Sequence, residues 1–320
     1  MNRTAQPLIL GIGEILWDML PNGRMLGGAP VNFAYHAAAL GAQAHAVSAV
    51  GDDPLGREIL DRMDALRLPR QGIAIDRQHP TGTVDVQLDA QGKPTYCIHE
   101  QVAWDFIAAT PTTLSLAQRA AAVCFGSLAQ RSAVSRTTIL NLLDAVPEHC
   151  LRVFDMNLRQ HYYNAEVLVS GLEAADVLKL NDEELPVVAE LLSLPGNDRA
   201  VLCGLLHRYD LRLIALTKGA GGSELVSQDG RSVHPGVPTK VVDTVGAGDA
   251  FTAAVTLGLL EKLDMDTINE RANRLASYVC NQQGAMPPMP EDMVLRIDGF
   301  SRPQSAARPA SARHAPVVPS

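Results

Sequence analysis

The amino-acid sequence predicts an α/β fold, a doubly wound and largely parallel sheet flanked by helices, with a small β-sheet standing off it. Three observations support this. From about residue 121, short apolar strands (AAVCFG, LRVFDMN, ADVLKLN and LRLIALTKG) follow one another with helical segments between most of them, which is the rhythm of βαβ units. Residues 80–99 behave differently. In TVDVQLD the apolar Val84, Val86 and Leu88 recur at period two, AQG turns the chain and PTYCIHE returns it, so this hairpin has one wet face. The chain has 320 residues, 47% of them hydrophobic, enough for one large core or two domains.

Taken in order, residues 8–20 hold a first core strand around Ile9, Ile12 and Ile15 that meets the turn signal PNG. RMLGGAP then reads as a hairpin leaving that strand. The stretch VNFAYHAAAL (31–40) has a helical pattern, and Gly41 stands where a C-terminal cap belongs. Residues 44–50 form a short strand and 54–66 a helix. Two hairpins, near 14–28 and 80–100, make up the second layer within a domain of residues 1–299. Residues 300–320, rich in Pro, Ala and Ser with arginines and no acids, are expected to be a disordered tail.

Composition excludes several classes. The net charge of -8 comes with no basic face for nucleic acid. No apolar stretch reaches the roughly 18 to 20 residues that span a bilayer, and the early apolar run is interrupted by Glu14, as a core strand is and a signal peptide is not. Five scattered cysteines without a CxxC pair argue against disulfides or zinc and favour a reducing, cytoplasmic setting.

The chemistry concentrates in VVDTVGAGDAFTAAV (241–255). Gly246 and Gly248 let the backbone take positive φ and approach a ligand closely. The helix that opens near Asp249 turns unpaired amides and its positive dipole end toward that ligand. Amides of about residues 246–249 thereby form an anion hole beside a carboxylate, able to accept a proton from an alcohol while the amides neutralise a transferred phosphoryl group. A turn with a capping aspartate accounts for the same letters. There is no GxxxxGK[ST], and Phe251 occupies the place of the third small residue of a dinucleotide fingerprint.

DTVGAGDAF, together with GGAPVNFAYHAAALGA and VGDDPLG nearer the N-terminus, resembles the ribokinase-type (PfkB) sugar kinases, and the local wording is most similar to the fructokinase branch. The resemblance runs from Ile9 to about Pro290 through GEILWDMLP, AWDF, FGSLA, FDMNLR, LKLNDEEL, LTKGAGGSEL and NQQGAMPPMP. It implies a ribokinase-like fold whose hairpin layer is a lid, Asp249 as catalytic base, and an anion hole at Gly246, Ala247 and Gly248. It implies Mg²⁺ oriented by Asn181 and Glu184, mostly through water, although Asn followed three residues later by Glu is also a helix capping box. Asp18, Gly28 and Asn32 match sugar-binding positions, and Arg159 lies where relatives hold an arginine near substrate. Tyr96 and Trp104 are candidates to cover the sugar's apolar face, though aromatics on such elements also serve packing. Thr217, Gly219, Gly222, Asn273, Gly284 and Ala285 resemble the stretches beside the nucleotide, which implies ATP; Lys218 departs from the small or aliphatic residue of most relatives, and either touches a phosphate or is solvated. Asp243 resembles one ligand of a monovalent-cation site, which leaves K⁺ open.

The expected reaction is transfer from MgATP to the primary hydroxyl of D-fructose, giving fructose 6-phosphate. The alternatives are 2-keto-3-deoxygluconate or another sugar or nucleoside as acceptor, and a non-catalytic sugar-binding regulator. A homodimer through the lid is the oligomer such a sheet would favour.

Overall fold

The computed structural model describes residues 6–21, 23–88 and 94–290, with the side chains of 86–88 and 94–96 excepted. The expected tail at 300–320 lies outside them. The chain runs through thirteen strands and nine α-helices among these residues: β1 (Leu8–Ile12), β2 (Leu16–Leu20), β3 (Gly23–Gly27), α1 (Ala29–Ala39), β4 (Gln43–Gly51), α2 (Pro54–Ala65), β5 (Ile73–Asp76), β6 (Gly82–Leu88), β7 (Pro94–Ile98), α3 (Pro111–Ala117), β8 (Ala122–Gly126), α4 (Ala133–Ala145), β9 (Leu151–Asp155), α5 (Ala165–Ala174), β10 (Val177–Asn181), α6 (Glu184–Leu191), α7 (Asp198–Arg208), β11 (Leu213–Thr217), β12 (Ser223–Val226), β13 (Arg231–His234), α8 (Ala247–Leu260) and α9 (Met265–Cys280).

Nine strands form one sheet in the order β13-β12-β11-β10-β9-β8-β1-β4-β5, parallel from β11 to β5 and antiparallel only at the β12 and β13 edge. Successive side chains leave opposite faces of a strand, and β1 shows this: Leu8, Leu10 and Ile12 pack with α3 to α7, while Ile9 packs with α1, α2, α8 and α9. Both faces are covered, which is why these strands read as continuous apolar runs. The predicted α/β class is what the chain adopts.

The remaining four strands make a separate sheet in the order β3-β2-β6-β7. β2 leaves the C-terminal end of β1 and pairs with β6 in parallel, so the two hairpins join into one layer. A short 3₁₀ turn at Ala103–Phe106 and another at Leu128–Arg131 brace its root. Asp105 and Arg131 form a buried ion pair there (2.8 and 2.9 Å), with the guanidinium 4.0 Å from the Trp104 ring and 4.6 Å from the Tyr162 ring. The same guanidinium donates to the carbonyl of His99, just past β7 (2.6 Å). No helix among the described residues is long and apolar enough to cross a membrane.

Candidate active site

The C-terminal ends of β1, β8, β9 and β10 and the N-terminus of α8 converge, which is the usual ligand crevice of an open α/β sheet. Helix α8 is buried throughout the span Ala250 to Gly258, where Thr252 and Thr256 are its polar side chains. It begins at Ala247, two residues earlier than the sequence suggests, with Gly246 as N-cap at φ 81. Only glycine adopts that φ freely. A Cβ there would also lie 2.6 Å from both Cα and the carbonyl oxygen of Ala285. The Ala247 amide reaches back to Thr244 (3.3 Å), whereas the amides of Gly248 and Asp249 have no acceptor within a helix that starts here.

Asp249 receives a hydrogen bond from Nδ2 of Asn32 on α1 (2.8 Å). Burial among protein atoms, and next the Asp155 carboxylate, push its carboxyl from an ordinary 3.8 up to about 7, against the opposing effects of Asn32, Lys179 and Arg159. The residue keeps some solvent access at the mouth of the site. A carboxylate held near neutrality is suited to taking a proton from an alcohol at physiological pH.

Beneath it lies a group that the sequence reading passed over. Asp155 and Lys179 face each other across the β9–β10 ladder and form a buried ion pair at 3.0 Å. The other Asp155 oxygen accepts from the hydroxyl of Thr252 on α8 (2.8 Å). A Cβ on Gly248 would sit 3.1 Å from the Lys179 ammonium, which places that cation against the glycine turn. Burial works to lower the Lys179 pKa, but the Asp155, Glu184 and Asp249 carboxylates outweigh it and hold it raised. FDMNLR and LKLNDEEL contain both residues, yet only the strand order shows that they meet.

The residues predicted to bind sugar lie around the base of the small sheet. Asp18 lies on β2, its carboxyl pushed up to about 6 by burial and by Asp243, against the pull of Arg159. Gly28, at φ 116, lets the chain enter α1 hard against the carbonyl of Glu14, which a Cβ would meet at 2.4 Å. Arg159 is exposed, with Nη1 bonded to its neighbour's carbonyl (3.0 Å), and its charge acts on Glu14, Asp18 and Asp249 together. Glu14 is buried with Oε2 unpaired and its carboxyl raised chiefly by burial, a further acid that the sequence reading did not assign. Trp104 is 0% exposed beneath Gly82 of β6, its Nε1 unpaired. Tyr96 lies on β7, its side chain outside the described set.

Among the residues predicted to lie beside the nucleotide, Asn181 and Glu184 form a reciprocal capping box (2.7 and 2.8 Å), and the second Glu184 oxygen accepts from the Leu158 amide (2.8 Å). Each oxygen retains a further lone pair, and the Glu184 charge is felt at Lys179. No cluster of three or more His, Cys, Asp or Glu able to hold a metal occurs among the described residues. Thr217 ends β11 opposite Asn181. Lys218 pairs with Glu224 (3.0 Å), and Gly219 and Gly222 both have positive φ. Asn273 is bonded inside a buried network with Ser223 and Asn269 that ties α9 to β12. Asp243 accepts from the amides of Val245 and Gly284, each at 3.0 Å.

Comparison with known proteins gives this geometry a family. The profile of the pfkB family carbohydrate kinases matches residues 23–292. The chain is 31% identical to the fructokinase of Escherichia coli over 302 residues, covering 87% of this chain and 95% of that one. The crystal structure of the sugar kinase PH1459 from Pyrococcus horikoshii superposes with a TM-score of 0.77 at 27% identity, covering 91% and 95% of the two chains. The ATP-bound fructokinase of Xylella fastidiosa gives 0.79 at 24% identity, covering 91% and 97%, and shares the fold. A carboxyl group at a helix N-terminus, open amides around it and a match over most of the chain lead to one conclusion: this protein belongs to the pfkB family of carbohydrate kinases and is an ATP-dependent sugar kinase.

Proposed function

We propose that the chain transfers the γ-phosphoryl group of MgATP to the primary hydroxyl of D-fructose, forming fructose 6-phosphate. The observation that carries the mechanism is the Asn32–Asp249 hydrogen bond at the mouth of α8. Asn32 fixes one carboxylate oxygen, the other accepts the hydroxyl proton, and the deprotonated oxygen attacks phosphorus as the bond to the ADP oxygen breaks. Amides at Gly246–Gly248, backed by the Lys179 ammonium, take up the charge on the phosphoryl oxygens. Asp18 holds sugar hydroxyls, and the small sheet acts as a lid that keeps water from the phosphate.

Asn181 and Glu184 suit magnesium held through water, since each already serves a backbone amide and offers only spare lone pairs. The metal supplies neutralisation of the nucleotide phosphates. Asp243 is the side chain that would face a monovalent cation such as K⁺, and a homodimer through the lid sheet belongs to the same reading.

The fructokinase likeness supports fructose. One observation favours a second acceptor: the Arg159 charge is brought to bear on three carboxyl groups around the sugar position, where it would suit the carboxylate of 2-keto-3-deoxygluconate. ADP release measured with fructose, ribose, glucose, keto-deoxygluconate and nucleosides, each with and without Mg²⁺, separates the two. Fructose is expected to give the highest kcat/KM. Preference for the acid sugar would overturn that choice.

A further inference from the structure

Helix α1 reaches the reaction centre at two points one helical turn apart. Asn32 and His36 stand four residues apart, so their side chains leave the same face. Asn32 donates to the base, Asp249, at 2.8 Å. His36 is fully buried, with Nε2 2.9 Å from the carbonyl oxygen of Ala285. A carbonyl only accepts, so Nε2 carries the proton. Burial pushes the ring down to about 4, which keeps it neutral, and this donor in place, over the working pH range.

Ala285 is the residue against which the turn before α8 is pressed. Its carbonyl oxygen, the acceptor for His36, is the atom 2.6 Å from where a Cβ on Gly246 would stand. On one side the Gly284 amide is tied to Asp243, which also holds Val245. On the other, the Tyr35 hydroxyl donates to the Pro287 carbonyl (2.8 Å). The loop 284–287 is thus clamped between α1 and the glycine turn. Packing alone does not account for an imidazole here. Nδ1 is buried without a partner, and an apolar side chain of the same bulk would avoid that penalty.

We propose that His36 is a positioning residue that, through the Ala285 carbonyl, sets where the Gly246–Gly248 amides stand relative to Asp249, itself held by the same helix through Asn32. The base and the anion hole are then spaced by one rigid element. The proposal rests on the assignment of Asp249 and the anion hole given above, and adds the device that keeps them in register.

The test is steady-state kinetics of the full chain carrying His36→Phe or His36→Gln, with the sugar that the acceptor panel selects. Phenylalanine removes the donor and keeps a ring, whereas the glutamine amide nitrogen reaches close to the place of Nε2. His36→Phe is expected to lower kcat roughly 10- to 100-fold, the scale for ångström-level displacement of reacting groups. Its KM for the sugar should change less than about threefold, because Asn32 remains. His36→Gln should recover most of kcat at a urea midpoint similar to that of the Phe variant, which separates positioning from stability. Should His36→Phe not fold, His36→Asn takes its place, since its shorter amide stops near the position of Nδ1. Parental kcat in the donor-less variant, or equal kcat in the Gln variant and the donor-less variant, overturns the proposal. Asp249→Asn distinguishes the two levels: if it is inactive while His36→Phe is parental, only the spacing role fails, and if it is active, the base assignment fails.

Discussion

Replacing Asp249 by asparagine removes a charge and keeps the shape of the side chain, so its consequences follow from the surroundings. The carboxyl rises from 3.8 to about 7, chiefly through burial and then through Asp155. Three pH units correspond to about 4 kcal/mol against the ionised form, and water at the open mouth reduces that to roughly 2 kcal/mol. The sign follows from linkage. The folded state holds this proton more tightly than the unfolded chain does, so the protein loses stability as pH rises from about 4 to about 7, and the penalty is complete above that. Asp249→Asn escapes it. Urea unfolding of parent and variant should show the variant gaining roughly 2 kcal/mol relative to the parent between pH 4 and pH 8. Turnover should fall about 10²- to 10⁴-fold, the scale of a positioned base, while calorimetry still detects ATP. In the parent, log kcat/KM should fall with unit slope below about pH 7 as the base is protonated. Near-parental turnover would remove the base from the mechanism. A stability difference that does not change with pH would refute the account of how burial tunes this acid.

Two other substitutions probe the frame around the site. Gly246→Ala must hold a positive φ and place a Cβ 2.6 Å from Ala285, so a loss of about 1–3 kcal/mol in urea unfolding is expected, along with lower kcat. A parental midpoint would show that the turn has room to move. Arg131→Met leaves Asp105 charged and buried at the root of the small sheet, which should cost about 3–5 kcal/mol. Adding Asp105→Asn should restore more than half of that in thermal or urea unfolding. If the double variant is no more stable than Arg131→Met, contact of the guanidinium with Trp104 and Tyr162, rather than the ion pair, holds the root of the small sheet together.

How much of this was legible in the sequence varies with the range of the interaction. Strands β8 to β11 and helix α8 stand out because each buries its own contiguous apolar residues, a local property of a doubly wound sheet. Strands β5, β12 and β13 were not anticipated, since each has only four residues and their stability comes from neighbours in the ladder. The capping reading of Asn181 and Glu184 was open from spacing alone, and both bonds are present. Glu14, Lys179, Asp155 and His36 went unassigned. Nothing nearby in the sequence of a buried lysine indicates that an aspartate 24 residues earlier will face it.

By itself the sequence determined the fold class, the glycine turn at a buried helix and the acid within it, because positive φ, apolar periodicity and helix-end polarity act over a few residues. The tertiary structure alone decided that Asn32, 217 residues away, grips that acid, that Asp155 and Lys179 lie under it, and that α1 reaches the far side of the turn through Ala285. Those contacts depend on which strands are neighbours and which helices cross. Burial in the interior they assemble, and next the Asp155 charge, raise the Asp249 pKa toward neutrality, while Asn32 and Lys179 oppose the rise.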